Sequence, residues 1–206
     1  MFCEIKNLFL QKKNIDILYN ITTLIKSGEI TVIVGKNGSG KTSLLKCLNC
    51  LIKPNKGFIN HKYNYPFPML FQKPAIFDNT VKYNFEIVSK IKKVKPTMLW
   101  YKKFNLQKIS NKKMFEISGG EQQKIFLSRI MSVDSKVVFM DEPNNNLDLS
   151  SDELLLNLLL EEKKKNKTII ISLHDINIVK KIADKIIVLD QGNIIFDGLK
   201  NNYFNN

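Results

Sequence analysis

Apolar residues along this chain fall into runs of different period. Near the N-terminus Phe2, Ile5, Leu8, Phe9 and Leu10 alternate loosely with polar positions, which predicts a first strand, and the polar Gln11 to Asn14 predicts a turn into a second strand over Ile17 to Ile25. Lys26-Ser27-Gly28 is a turn signal, and Pro54-Asn55-Lys56-Gly57 is another. Three short, nearly continuous apolar runs, Glu29 to Val34, Lys136 to Met140 and Thr168 to Leu173, read as strands buried on both faces. Helical spacing predicts helices over Ser43 to Leu48, Val81 to Lys93, Thr97 to Phe104, Gln122 to Met131 and Ser151 to Glu162.

Between the first buried strand and its helix lies Gly35-Lys36-Asn37-Gly38-Ser39-Gly40-Lys41-Thr42, which fits GxxxxGK[ST] at every fixed position and has the strand, loop, helix setting that motif needs. Glycines free the backbone to take positive φ and to aim successive N–H groups at a phosphate chain. The helix beginning near Lys41 adds unpaired amides and its positive dipole end. Lys41 is a point charge for the β and γ phosphates, the Thr42 hydroxyl suits Mg²⁺, and Ser43 continues the helix start.

Further chemistry lies at other element ends. Ser118-Gly119-Gly120-Glu121 opens a helix and makes a second anion site. Asp141 and Glu142 end the strand Lys136 to Met140, where α/β sheets place ligands. Asp141 suits a hold on Mg²⁺, and Glu142 suits a general base on an attacking water. His174 follows the strand Thr168 to Leu173, placed to donate to a γ-phosphate.

Composition narrows the partners. The 206 residues predict one domain, and no apolar run approaches the roughly 18 residues that would span a bilayer. The N-terminal segment carries no secretory pattern, so a cytoplasmic location is expected. A net charge of +13 invites nucleic acid, but Arg129 is the only arginine, and base reading favours arginine. An anionic membrane face suits lysine equally well. Nine lysines and no acid occur from Lys90 to Lys113, on what reads as a small helical insertion. Cys3, Cys47 and Cys50 are expected as packed thiols, and His61 as a surface residue in a polar turn.

Taken together these residues resemble the nucleotide-binding domain of ATP-binding cassette (ABC) proteins, in order and over nearly the whole chain. Gly35 to Thr42 resembles the Walker A loop, Gln72 the Q-loop glutamine, Ile117 to Glu121 the LSGGQ signature, Val137 to Glu142 the Walker B strand, Asn145 to Asp148 the D-loop, and His174 the switch histidine. The resemblance implies an α/β fold: a P-loop NTPase core with a mainly parallel sheet, an N-terminal antiparallel β subdomain and an inserted helical subdomain. Residues 1 to 206 would form one ABC ATPase domain, with residues 73 to 117 and the helix after the signature as the helical subdomain. It implies ATP and Mg²⁺ as cofactors, with Thr42, Gln72 and Asp141 toward the metal, and Glu142, His174 and Gln72 in catalysis. Gly35 to Ser43, Ser118 to Gly120 and Asp148 would bind nucleotide.

Such domains pair head to tail, so a second copy would complete each ATP site with its Ser118, Gly119 and Gly120. The other implied partners are transmembrane permease subunits, docking near Gln72 to Phe77, and a substrate-binding protein. No nucleic acid is expected, and the place implied is the cytoplasmic face of the inner or plasma membrane. Phe71 to Pro74, Asn79 to Val81 and Asn84 resemble bacterial importer subunits. The alternative is a soluble ABC ATPase of DNA repair or translation, but those relatives usually carry two cassettes or large insertions. Three positions depart from the family pattern: Lys12 aligns where many cassettes have an adenine-stacking aromatic, Glu121 replaces the usual glutamine, and Asn144 replaces the common Thr or Ser.

Overall fold

The computed structural model describes residues 1–64 and 66–205. Strands β1 (Cys3–Lys12) and β2 (Ile15–Ile25) form the predicted antiparallel hairpin. The sheet has a third strand that the sequence reading missed: β4 (Lys56–His61) pairs antiparallel with the other edge of β1. Its polar residues give no alternation to read, and the strand exists because β1 offers a free edge. Gly57 makes the approach possible: at φ +81°, a Cβ there would meet the carbonyl oxygen of Asn7 at 2.3 Å.

The second sheet holds β5 (Met69–Leu70), β6 (Val137–Asp141), β7 (Thr168–Ser172), β3 (Ile30–Val34), β8 (Lys185–Asp190) and β9 (Asn193–Leu199), in that spatial order. All neighbours are parallel except β8 and β9, which pair antiparallel. Every residue of β3, β6 and β7 is buried, as expected for strands covered on both faces. Period-two alternation divides them: Ile30, Val32, Val138, Met140, Ile169 and Ile171 face one core. Ile33, Val137, Phe139 and Ile170 face the other, shared with α1 (Lys41–Leu48) and the N-terminal sheet.

The region predicted as a helical insertion contains α2 (Val81–Ile91) and α3 (Leu99–Lys103), which both pack on α4 (Gly119–Met131). Stacking of Phe85 on Tyr101, with ring centroids 4.4 Å apart, joins α2 to α3. Helix α2 stops two residues before its predicted end, because Lys93 takes a left-handed conformation at φ +54°. Helices α5 (Leu149–Lys164), α6 (Ile176–Ile182) and α7 (Lys200–Phe204) complete the chain; the last two are too short to show a period in sequence.

Packing buries Arg129: it is 7% exposed, and its guanidinium donates to the Asn84 carbonyl at 2.6 Å, the Asn84 side-chain oxygen at 2.8 Å and the Ala75 carbonyl at 2.7 Å. Burial lowers its pKa to about 10. His61 is not in an exposed turn: it ends β4 half-buried, 5.4 Å from the Phe2 ring, with Nε2 3.3 Å from Cys50 Sγ. Cys3 and Cys47 are buried free thiols, and burial pushes both up to about 12.

Candidate functional site

Parallel pairing brings the C-terminal ends of β3, β6 and β7 side by side, and the loops leaving those ends carry the predicted chemistry. Residues Gly35 to Gly40 wrap between β3 and α1. Gly38 lies at φ +81° and Gly40 at φ +105°, and a Cβ on Gly40 would meet Leu18 Cδ2 at 2.8 Å and the Ile17 carbonyl oxygen at 3.0 Å. A side chain at Gly40 is excluded by space as well as by backbone angle. The cavity beside this loop has a volume of about 360 Å³ and is lined by Asn37, Gly38, Gly40, Lys41, Thr42, Ser43, Gln72, Glu142 and Ile17. Lys36 and Ser39 line an adjoining cavity with Asp190 and Gln191.

Lys41 is 5% exposed, and its ammonium donates to the carbonyl oxygens of Gly35 at 2.8 Å and Lys36 at 3.2 Å. Burial lowers its pKa, against the opposing pull of Glu142 and Asp141. A cation is thus held inside a loop built to surround anions.

The carboxylates of β6 take different roles through different neighbours. Asp141 is 1% exposed; Oδ2 accepts from the Thr42 hydroxyl and Oδ1 from the Ser172 hydroxyl, each at 2.6 Å. This joins α1, β6 and β7 at one point. Glu142 leaves the strand at φ +50°, a left-handed conformation uncommon for a side chain of this size. Its backbone N–H donates to Ser172 Oγ at 3.0 Å. Its carboxylate accepts from Gln72 Nε2 at 3.1 Å and Asn145 Nδ2 at 2.9 Å on one oxygen, and the other lies 2.5 Å from His174 Nε2. Burial raises the pKa of this carboxyl, but the bonds from Asn145, His174 and Gln72 outweigh it and leave the pKa below the ordinary carboxylate value.

Gln72, Glu142, His174, Lys41, Thr42 and Asp141 are therefore brought together. Ser118, Gly119 and Gly120 do not line the cavity beside Lys41. Ser118 caps α4, accepting from Glu121 N at 3.3 Å, while the Glu121 carboxylate accepts from Ser118 N at 2.9 Å and Oγ at 3.0 Å. This reciprocal capping gives the acid at this position a local role, one that glutamine fills equally well. The Ser118 backbone N–H, its hydroxyl and the nearby Lys112 and Lys124 hold the pKa of Glu121 below its usual range. The start of α4 is braced against the loop after β6: Gln123 Nε2 donates to the Pro143 carbonyl at 2.7 Å, and a Cβ on Gly120 would meet the Asn146 carbonyl oxygen at 2.9 Å. Asp148 caps α5, accepting from Ser150 Oγ at 2.7 Å and Ser151 N at 2.8 Å. Those bonds, Ser150's foremost, put its pKa well below the usual range.

Three contributors escaped the sequence reading. Ser172 ends an otherwise apolar strand, and that lone hydroxyl at the ligand edge was its signal. Asn145 stands first in the stretch resembling the D-loop, but nothing in the sequence pairs it with the Glu142 carboxylate. Ile17 lines the cavity beside the Gly35 to Gly40 loop, whereas Lys12, exposed at the end of β1, does not. Alignment pointed to Lys12, but the fold of the β1–β2 hairpin turns Ile17 to Gly40.

Comparison with known proteins identifies the family and the fold. Residues 18–145 match the family described as ABC transporter. The hemin import ATP-binding protein HmuV of Photobacterium damselae subsp. damselae is 31% identical over 216 residues, covering 93% of this chain and 81% of that protein. Among solved structures, cbiO1 of Clostridium perfringens, part of the ABC transporter complex cbiONQ, has a TM-score of 0.81 and 26% identity, covering 99% of this chain and 90% of that one. A dimeric ATP-binding cassette in a post-hydrolysis state, bound to ADP and Pi, has a TM-score of 0.85 at 23% identity, covering 96% of this chain and 98% of that one, and shares the fold. With a phosphate loop, an ordered carboxylate and a signature helix on that fold, the chain belongs to the ABC transporter family, as an ATP-binding ATPase cassette.

Proposed function

We propose that this chain is the ATPase subunit of a bacterial importer, working as a head-to-tail pair of copies beneath a separate permease. The observation that carries this reading is the separation of two anion sites: the cavity beside Lys41 is lined without Ser118, Gly119 or Gly120. A second copy supplies those groups, and Asp148 at the start of α5 lies beside the same junction through its 3.7 Å pair with Lys124 of α4. The dimeric cassette named above supports this assembly, and the import role of HmuV supports the direction.

Within each site Lys41 and the amides of Gly38 to Thr42 hold the β and γ phosphates. Thr42 is already bonded to Asp141 and Gln72 to Glu142, and the Thr42 hydroxyl, the Asp141 carboxylate and the Gln72 amide oxygen would hold Mg²⁺ there, the oxygen set a hard divalent cation takes. The cation would supply charge neutralisation to the phosphates. Glu142, ionised at neutral pH, takes a proton from a water whose oxygen attacks the γ-phosphorus as the bond to ADP breaks. His174 and Asn145 hold that carboxylate in place, and Gln72 reports its state toward Phe77.

The permease docks at an apolar groove of about 220 Å³ formed by Leu70, Phe71, Pro74, Phe77, Ile87 and Ile91, among others. Asn84 fixes one wall, accepting from Phe77 N at 3.0 Å and donating to the Phe77 carbonyl at 2.9 Å. No described helix is long and apolar enough to cross a membrane. The test is Glu142→Gln, which keeps nucleotide binding, abolishes turnover and yields an ATP-dependent dimer by light scattering; a monomer with ATP overturns the paired site. Copurification with an integral membrane protein supports the importer reading, and stimulation of hydrolysis by DNA or RNA without a membrane partner overturns it.

A further inference from the structure

The segment where α2 ends reads Lys90-Ile91-Lys92-Lys93-Val94-Lys95, and it exposes both charged and apolar side chains. Ile91 is 72% exposed and Val94 46%, in a chain that buries most of its aliphatic residues. Lys90 pairs with Glu86 at 3.0 Å, but among the described residues Lys92, Lys93 and Lys95 make no ion pair, and all three are exposed. The left-handed turn at Lys93 ends the helix and projects these residues as a tip.

We propose that this tip rests on an anionic lipid bilayer, with Lys92, Lys93 and Lys95 among the headgroups and Ile91 and Val94 at the edge of the acyl region. Lysines interleaved with exposed aliphatics are the composition of a membrane-surface contact, in which charge attracts and apolar area retains. Nucleic acid fits less well. The segment has no aromatic to stack on a base, and the only arginine of the chain is consumed by Asn84 and Ala75.

Position agrees with the composition. Ile91 also lines the apolar groove assigned to the permease, so the groove and the tip form one continuous surface. The orientation rests on the importer reading, since a groove engaged by a membrane protein turns its neighbours toward the bilayer; the lipid contact itself needs no permease.

The test is sedimentation of the full chain with vesicles, in the absence of any permease. The wild-type chain is expected to bind phosphatidylcholine vesicles containing about one-third phosphatidylglycerol and to leave pure phosphatidylcholine unbound, with binding lost as salt rises. Lys92→Gln, Lys93→Gln and Lys95→Gln together should weaken partitioning about a hundredfold, about fivefold per lysine, with ATP hydrolysis unchanged. Ile91→Ser with Val94→Ser should weaken it less and leave what remains more sensitive to salt. Equal binding to both vesicles, no binding to either, or full retention by the triple variant overturns the proposal. Displacement from vesicles by an equal phosphate concentration of single-stranded oligonucleotide overturns it in favour of nucleic acid. Failure of the dimer test above leaves the vesicle result standing, so the two readings fail separately.

Discussion

The Ser172 hydroxyl donates to Asp141 Oδ1 at 2.6 Å while accepting the backbone N–H of Glu142 at 3.0 Å. One side chain on β7 thus fixes two consecutive carboxylate residues on β6, holding the first in hydrogen-bonding position and the second at its left-handed turn.

Ser172→Ala removes both bonds and leaves a buried carboxylate oxygen short of a donor. The expected cost is about 2 kcal/mol of stability, with ATP turnover falling about tenfold, a barrier change of about 1.4 kcal/mol. Urea unfolding and steady-state hydrolysis measure the two; turnover unchanged in a folded variant removes Ser172 from the site.

Ile17, not Lys12, borders the space next to Gly40 and Thr42. Replacing Ile17 by Asp puts a negative charge beside the phosphate loop and removes an apolar contact, so nucleotide affinity should fall about a hundredfold, roughly 3 kcal/mol. Lys12→Ala should change it less than about threefold. Titration with a fluorescent ATP analogue compares the two, and the reverse order would return the base to Lys12.

Glu121 places a carboxylate at the start of α4, the helix end that a partner's γ-phosphate approaches in the proposed dimer. Glu121→Gln keeps a capping partner for Ser118 while removing a repulsive charge. ATP-dependent dimerisation should strengthen by about fivefold at low salt, and the gain should shrink as salt rises. Analytical ultracentrifugation with ATP across a salt series checks this.

Glu162, on α5, accepts from Lys165 at 2.8 Å and Lys167 at 2.7 Å while only its edge reaches solvent. Burial raises the pKa of this carboxyl, and the two lysine bonds outweigh it, so the folded value lies below the unfolded one. The stability this group contributes is therefore fully present above the ordinary value of about 4.3 and is lost as pH falls through the lower native value. Glu162→Gln should cost about 3 kcal/mol at neutral pH. The gap between wild-type and variant melting temperatures should close on the acid side, below the ordinary carboxylate range, and not on the alkaline side.

The sequence by itself determined every element whose signal is local. Gly35 to Thr42 announces a phosphate loop because only glycine permits that backbone, and the runs at β3, β6 and β7 announce buried strands because continuous apolar β-branched residues leave no wet face. It also named most of the residues that the fold gathers at the candidate site, since Lys41, Thr42, Asp141, Glu142 and His174 stand at strand ends or helix starts where chain order alone places them. What the tertiary structure decided is everything that depends on a neighbour distant in sequence. Residues 56 to 61 became a strand only against β1, Arg129 became a buried tie only between Asn84 and Ala75, and Ile17 reached the cavity beside the Gly35 to Gly40 loop only because the hairpin packs on Gly40. Ser172 shows the same division most closely: its residue type is one letter in an apolar run, but its two bonds span 31 and 30 residues and arise only when β6 and β7 lie in register. Hydrophobic period and glycine placement are properties of short stretches, whereas hydrogen-bond partners are fixed by the sheet order that brings those stretches together.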